Sequence, residues 1–349
     1  MLIDADDYVR YMARRGLFRE DAPAPEADPR VWSIFMHLHG SHAGPLADQP
    51  IVLTPGGLGF YRDPLAGSDA FGWALLGAIS HPWLPFSVAD LLALADEILP
   101  TFARDGLDVP TICTDTFDLP GPLAPEHAPG LVWLRSPRAR FGGGFADYLA
   151  SLSADRRKAA RHLLARLDAL PGLRLDLSSR PPDLRELEFL TDHLTRRWGS
   201  DASYALVQSL WPLAVAAVRP AQALFMRAHL QDCLILFAGY ILRGDVIFSQ
   251  STCRDLDRCP DGLGVAVDLK VIQALAGGPV RHLDPTCRTG LDDPPAIEVA
   301  KRKVVNDDAC KPLLLAGALG PERTDRLPHL APTGAWVLRD AAVILGRPA

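Results

Sequence analysis

Residues 258–266, RCPDGLGVA, set two glycines between a strand-like and a helix-like run. Glycine lets backbone approach a ligand closely, and the first amides of the following helix offer unpaired donors along a dipole that favours an anion. Arg258, Gly262, Leu263, Gly264 and Val265 therefore read either as a pyrophosphate cradle or as an ordinary glycine turn. His193, Arg197 and Trp198 fall at spacings of four and one, so His193 and Arg197 can share a helical face with Trp198 beside them. That set either lines a cleft or packs a tryptophan among surface partners. Arg156, Arg157, Lys158, Arg161, His162 and Arg166 form a cationic band that is either a solvated face or an anion-binding surface. His37, His39 and His42 have ligand-like spacing, but no cysteine or carboxylate stands nearby to complete a set, and no metal is expected. LTPGGLGFY, residues 53–61, lacks the Lys-Ser/Thr of a phosphate-binding loop and reads as a turn.

These residues need elements to hold them. A helix is predicted from Ser153, which can cap it, with Asp155 in the first turn and Ala160, Leu163, Leu164, Leu167 and Leu170 as its apolar stripe. Beyond Gly172 follow a strand (LRLDLS), helices over 183–198 and 203–218, and three β-like runs: ALFMRAHLQ, CLILFAGYILR and DVIFSQSTC. A turn is expected at Arg243, Gly244 and Asp245. A helix over 263–276 shows Leu263, Val267, Val271 and Leu275 at four-residue spacing, and a strand over 280–284 comes next. The first part mixes short apolar runs (from Val31, Pro50 and Ala70) with a helix over 87–105 and strands at 109–113 and 131–135. The pattern is mixed α/β, and 349 residues suggest two domains.

Composition narrows the class. With 48% apolar and 22% charged residues the chain can bury a sizeable core. A formal charge of −6 argues against general nucleic-acid binding, because phosphate neutralisation needs a basic surface, although local basic patches remain open. No run of about 18 apolar residues spans a membrane, and the start has no signal-peptide core. Six cysteines without a paired framework suggest reduced thiols and a cytoplasmic location.

Residues about 145–310 resemble the GNAT-type acyltransferases related to the Fem peptidoglycan-bridge enzymes, including a branch labelled as cellulose-biosynthesis-type acetyltransferases. FADYLASLSADRRKAARHLLARL (145–167) is similar to that branch's Tyr-Leu element followed by a basic helix, and DHLTRRW (192–198) to its His-x-x-Arg-Trp element. VIFSQSTCRDLD, PDGLGVAVDLKVIQAL, RHLDPTCR and AKRKVV resemble its last strand, cofactor helix, Asp-bearing strand and closing Lys segment. The family's (R/Q)xxGxG/A pattern is met at Gly262 and Gly264, with Cys259 in the basic slot and Arg258 one place early. The order of helices, three antiparallel strands, glycine turn, helix and strand is also that of a GNAT core.

The resemblance implies tandem GNAT-like domains with mixed central sheets flanked by helices. Its units are an N-terminal half at 1–150, a linking basic helix at 151–171, a C-terminal domain at 172–325 and a tail at 326–349. It implies transfer of an acyl group from acyl-CoA to an amine of a small molecule or peptide. The alternatives are Fem-like transfer from aminoacyl-tRNA or an acyl-carrier protein, and a non-catalytic binding module. Asp284 is the implied base, with His282 a second candidate two residues earlier on the same strand side, unless Asp284 merely starts a turn before Pro285. Tyr240 is placed to protonate the leaving thiolate or to serve as core. Arg288, Lys301 and Lys303 are the implied contacts to anionic substrate groups, with a solvated charge run as the alternative.

Overall fold

The computed structural model describes residues 138–198, 202–285, 303–307 and 310–315, short strands at 2–3, 51–53, 59–61, 74–75, 111–113 and 131–135, and residues 20, 25, 28, 30–31 and 34–35. The helix expected over 87–105, the trio His37, His39 and His42, and Arg288 and Lys301 lie outside the described residues.

In the first part, β1 (Leu2–Ile3), β2 (Ile51–Leu53), β3 (Gly59–Tyr61) and β4 (Ala74–Leu75) form an antiparallel sheet in chain order. Val52 opposes Phe60 and Leu53 opposes Gly59, and residues 54–58 between these strands, where the turn is expected, lie outside the described residues. A second sheet takes β5 (Thr111–Cys113) and β6 (Leu131–Arg135) on either side of β13 (Cys310–Leu315), antiparallel to both. Residues 310–315, which the sequence reading places with the C-terminal half, thus pair with strands of the first half.

The main sheet has six strands in the order β7, β12, β11, β10, β9, β8. Its members are β7 (Ala139–Arg140), β8 (Leu173–Ser178), β9 (Ala223–Leu230), β10 (Cys233–Arg243), β11 (Val246–Arg254) and β12 (His282–Asp284). β8 to β11 are an antiparallel meander, β11 and β12 are parallel, and β7 closes the edge antiparallel to β12. The tight β10–β11 connection turns at Gly244, whose φ of 59° lies in the left-handed region. β10 is buried along almost its whole length, as a strand covered on both faces must be.

Among the described residues five α-helices cover the sheet: α1 (Phe145–Ser151), α2 (Ala154–Asp168), α3 (Leu184–Trp198), α4 (Ala202–Val218) and α5 (Leu263–Leu275). Ser153 caps α2 by accepting the Arg156 amide at 3.5 Å. The α2 stripe, Ala160, Leu164 and Leu167, meets Leu263, Val267 and Val271 of α5 in one core with Met226, Ala228, Leu236, Ala238, Ile247 and Leu283 of the sheet. Each such buried Leu, Val or Ile stabilises the fold by about 1.5–3 kcal/mol relative to exposure. The opposite face meets α3 and α4. There Gly239 is needed for close approach, since an added Cβ would sit 3.0 Å from Cγ of Pro212 in α4.

The N-terminal segment is fastened to α4. Phe35 stacks on Trp211 with ring centroids 3.8 Å apart, and Arg219 Nε donates to buried Asp28 Oδ2 at 2.9 Å. The closing segment is fastened on the other side: Val304 and Val305 enter the core, Tyr148 donates its hydroxyl to Val304 O, and Asn306 Oδ1 accepts the Arg140 amide at 2.7 Å.

Candidate functional site

β11 extends beyond the last pair it makes with β12. Their parallel pairing covers Val246 with His282, Ile247 with Leu283 and Phe248 with Asp284, and it ends there. Among the described residues, β11 from Ser249 to Arg254 has no partner on that side. α5 connects the two strands, so its N-terminus stands at the same end as the C-termini of β11 and β12. The last β11–β12 pair therefore lies at the same end as the helix start, and in open α/β sheets ligands bind at the carboxyl ends of the strands.

The helix start is bare. α5 begins at Gly262 in the left-handed region with φ 82° and has no side-chain cap. The amides of Leu263, Val265 and Ala266 are used in bonds to Pro260 O and Gly262 O, whereas the Gly264 amide has no acceptor among the described residues. An added Cβ at Gly264 would meet nothing within 4 Å. Gly262 is crowded from the other side, where a Cβ would lie 2.9 Å from Leu163 Cδ1 and 3.4 Å from Arg166 Nη2. Arg166 also donates to Asp261 O. α2 therefore stands its last-turn arginine at the turn whose own basic slot holds Cys259. Arg258 points elsewhere: it is 63% exposed, with Nε 3.9 Å from Asp255 Oδ2. Burial pushes the Cys259 thiol up to about 11, which leaves it neutral and unreactive near pH 7.

Buried polar groups lie at and just beyond the last β11–β12 pair. Asp284 is fully buried at the last paired position, and Ser249 and Gln250 follow Phe248 with only 2% and 8% exposure. Gln250 sits on a bulge: Ser249 pairs with Tyr240 and Ser251 with Gly239, so Gln250 opposes no residue of β10. Among the described residues neither its Oε1 nor its Nε2 has a hydrogen-bond partner. Leaving such a group desolvated costs about 1–3 kcal/mol, so its retention calls for an explanation.

The other expected residues are dispersed. His282, at the opposite end of β12, has Nδ1 3.5 Å from Asp245 Oδ2 in the β10–β11 turn. Burial, with Arg138 and Arg140 nearby, holds its imidazole below the ordinary range, against the pull of Asp245 and Asp307. The Tyr240 hydroxyl is sealed inside the core and donates to Asp268 Oδ1 of α5 at 3.3 Å; burial and that carboxylate raise it well above its usual range. His193 packs on Phe189 with ring centroids 4.3 Å apart, Arg197 and Trp198 close α3, and Lys303 is exposed on the closing segment. Gln250 and Ser249 entered no site reading from the sequence, and Arg166 entered only as one member of the cationic band. The available signal was the polar triplet Ser249-Gln250-Ser251 in a strand whose first three residues are apolar.

Among the described residues no cluster of three or more His, Cys, Asp or Glu could hold a metal ion, and no helix is long and apolar enough to cross a membrane.

No protein-family model matches the chain, and no curated protein matches it. Solved structures do. The C-terminal domain of an Agrobacterium fabrum protein, named as a candidate lysylphosphatidylglycerol synthetase, is 11% identical over 97% of each chain, with a TM-score of 0.50. The chain shares the fold of that domain. Weaker likenesses are the L-PGS of Bacillus licheniformis (12% identity, 95% of this chain and 100% of that one, TM-score 0.48) and a GCN5-related N-acetyltransferase from Kribbella flavida (13%, 81% and 94%, TM-score 0.38).

Proposed function

We propose that the protein is an acyltransferase that moves an acyl group from acyl-CoA to an amine of a small molecule or peptide, at the fork between β11 and β12. The observation that supports it is the uncapped start of α5, open at Gly264 and flanked by Arg166, at the mouth of that fork. The Gly264 amide and the helix dipole suit a pyrophosphate, and Arg166 supplies the charge that the Cys259 slot lacks. The carrier's arm would then enter the fork toward Asp284.

The chemistry asks for a neutral amine, a proton acceptor and a donor for the developing oxyanion. Asp284, buried at the base of the fork, takes the proton that the attacking nitrogen loses as its bond to the carbonyl carbon forms. The β11 amides beyond Phe248 that no β12 residue engages are the available donors to the carbonyl oxygen. As the carbon–sulfur bond breaks, the thiolate leaves and recovers a proton from Asp284 or solvent, which balances the step.

A Fem-like donor, aminoacyl-tRNA or an acyl-carrier protein, is the second reading. It is favoured by the α2 surface beside the helix start, where Arg156, Lys158, Arg161, His162 and Arg166 are all exposed.

Thermal melting with coenzyme A tests the first reading. Ligand at 100 times its Kd adds about 2.7 kcal/mol of stability, and the melting point rises accordingly. Gly264→Glu should abolish that rise while folding normally, because the added side chain enters open space. An unchanged melting point for the native protein in millimolar coenzyme A would sink the proposal. Retention of tRNA at low salt, lost as salt rises, would move it to the second reading.

A further inference from the structure

We infer that Gln250 selects the acyl group, and that the group it selects carries an amide edge. This inference rests on the proposed use of the β11–β12 fork. A side-chain carboxamide presents an acceptor, Oε1, and a donor, Nε2, side by side. Both atoms of Gln250 are buried and neither has a hydrogen-bond partner among the described residues.

The surroundings define the complement. On one side the bulge removes any β10 residue opposite Gln250, and on the other the pairing with β12 stops two residues earlier at Phe248. Gln250 is four residues inside the end of β11 at Arg254, roughly 13 Å at the strand rise of about 3.3 Å per residue. A carrier held by its phosphates at the start of α5 would place its far end, the acyl group, at this depth. Hydrocarbon there satisfies neither Oε1 nor Nε2, and a carboxylate satisfies only Nε2 while adding an anion beside buried Asp284. A primary carboxamide satisfies both at once, donating to Oε1 and accepting from Nε2. Arg227, another deeply buried polar side chain of the sheet, has protein partners for its guanidinium.

The test uses two stable thioethers of coenzyme A that differ only at the tip: S-carbamoylmethyl, which carries a primary carboxamide, and S-isobutyl, its hydrocarbon isostere. Calorimetry on the full chain should find the carboxamide form bound tighter by about tenfold or more, since a site built to hydrogen-bond a polar group rejects an analogue that lacks it. Gln250→Leu should erase or reverse that preference while still binding coenzyme A, and Gln250→Met should behave the same way. Equal affinities in the native protein, as when trapped water satisfies the amide, would overturn the inference and leave the acyltransferase reading standing. So would a preference that survives in Gln250→Leu and Gln250→Met. Failure of coenzyme A itself to bind overturns the acyltransferase reading and this inference together.

Discussion

Arg227 and Gln250 are both polar, both more than nine-tenths buried and both in the same sheet, yet they are treated in opposite ways. Arg227 Nε and Nη2 grip Glu186 at 2.6 and 3.1 Å, Nη2 also donates to Arg180 O at 2.7 Å, and Nη1 donates to Ser178 Oγ at 3.1 Å. The Phe225 and Phe237 rings lie 5.7 and 5.5 Å from its guanidinium carbon. Glu186 in turn closes the start of α3, accepting the Asp183 amide at 2.9 Å while its own amide donates to Asp183 Oδ1 at 3.0 Å. Gln250 has none of this. A buried polar group with its bonds satisfied inside the protein serves the fold, whereas one left unsatisfied costs stability and calls for a separate reason.

The largest effect should come from breaking the satisfied group. Glu186→Leu strands the Arg227 guanidinium in the core, and unpairing a buried charge costs about 3–5 kcal/mol. Urea denaturation measures this directly, and the double variant with Arg227→Met should recover much of the loss. A loss under about 1 kcal/mol for Glu186→Leu would show that the cluster is not the clasp described. Burial raises the Glu186 carboxyl, but the bonds from Arg227, Asp183 and Arg180 outweigh it and hold it below its usual range. The stabilisation is therefore complete above the unfolded carboxyl's range, near pH 4.5, and disappears as pH falls through the lower folded value.

Next comes the unsatisfied group, with the opposite sign. Gln250→Leu removes a desolvated amide and should raise the stability of the ligand-free protein by about 1–2 kcal/mol. The same denaturation experiment checks it. A loss of more than about 1 kcal/mol would mean that the amide is part of the packing, and the contrast with Arg227 would collapse.

Sequence carried the elements further than it carried the site. The runs LRLDLS and CLILFAGYILR are β8 and β10 to the residue, and the Leu263, Val267 and Val271 seam lies in the core as its spacing requires. Periodicity reports which residues share a face, and burial enforces it. Helix α1 and strand β7 were not legible as separate elements: seven residues are too few for a helical pattern, and two residues become a strand only by pairing with β12. The bulge at Gln250 was hidden for a related reason, since register belongs to two strands and neither states it alone. Arg166 looked like one member of a surface band, and only the packing of α2 on the α5 turn gives it a distinct place.

The smallest effect concerns His282, which falls between the two extremes. Burial lowers its imidazole first, Arg138 and Arg140 lower it further, and the carboxylates of Asp245 and Asp307 raise it only in part. The folded protein therefore favours neutral His282, while the unfolded chain takes up its proton near pH 6.5. Between those values the unfolded state binds more protons, so this residue's contribution is present above about pH 6.5 and is lost as pH falls toward the folded value. His282→Gln should flatten the stability profile over that interval by less than either earlier substitution changes it. Asp245→Asn should steepen the profile, because it removes the nearest carboxylate opposing the shift and leaves the two arginines to lower the imidazole further. A profile that His282→Gln leaves unchanged would mean that the imidazole meets the same environment folded and unfolded. His282 would then join neither the satisfied nor the unsatisfied groups of the sheet.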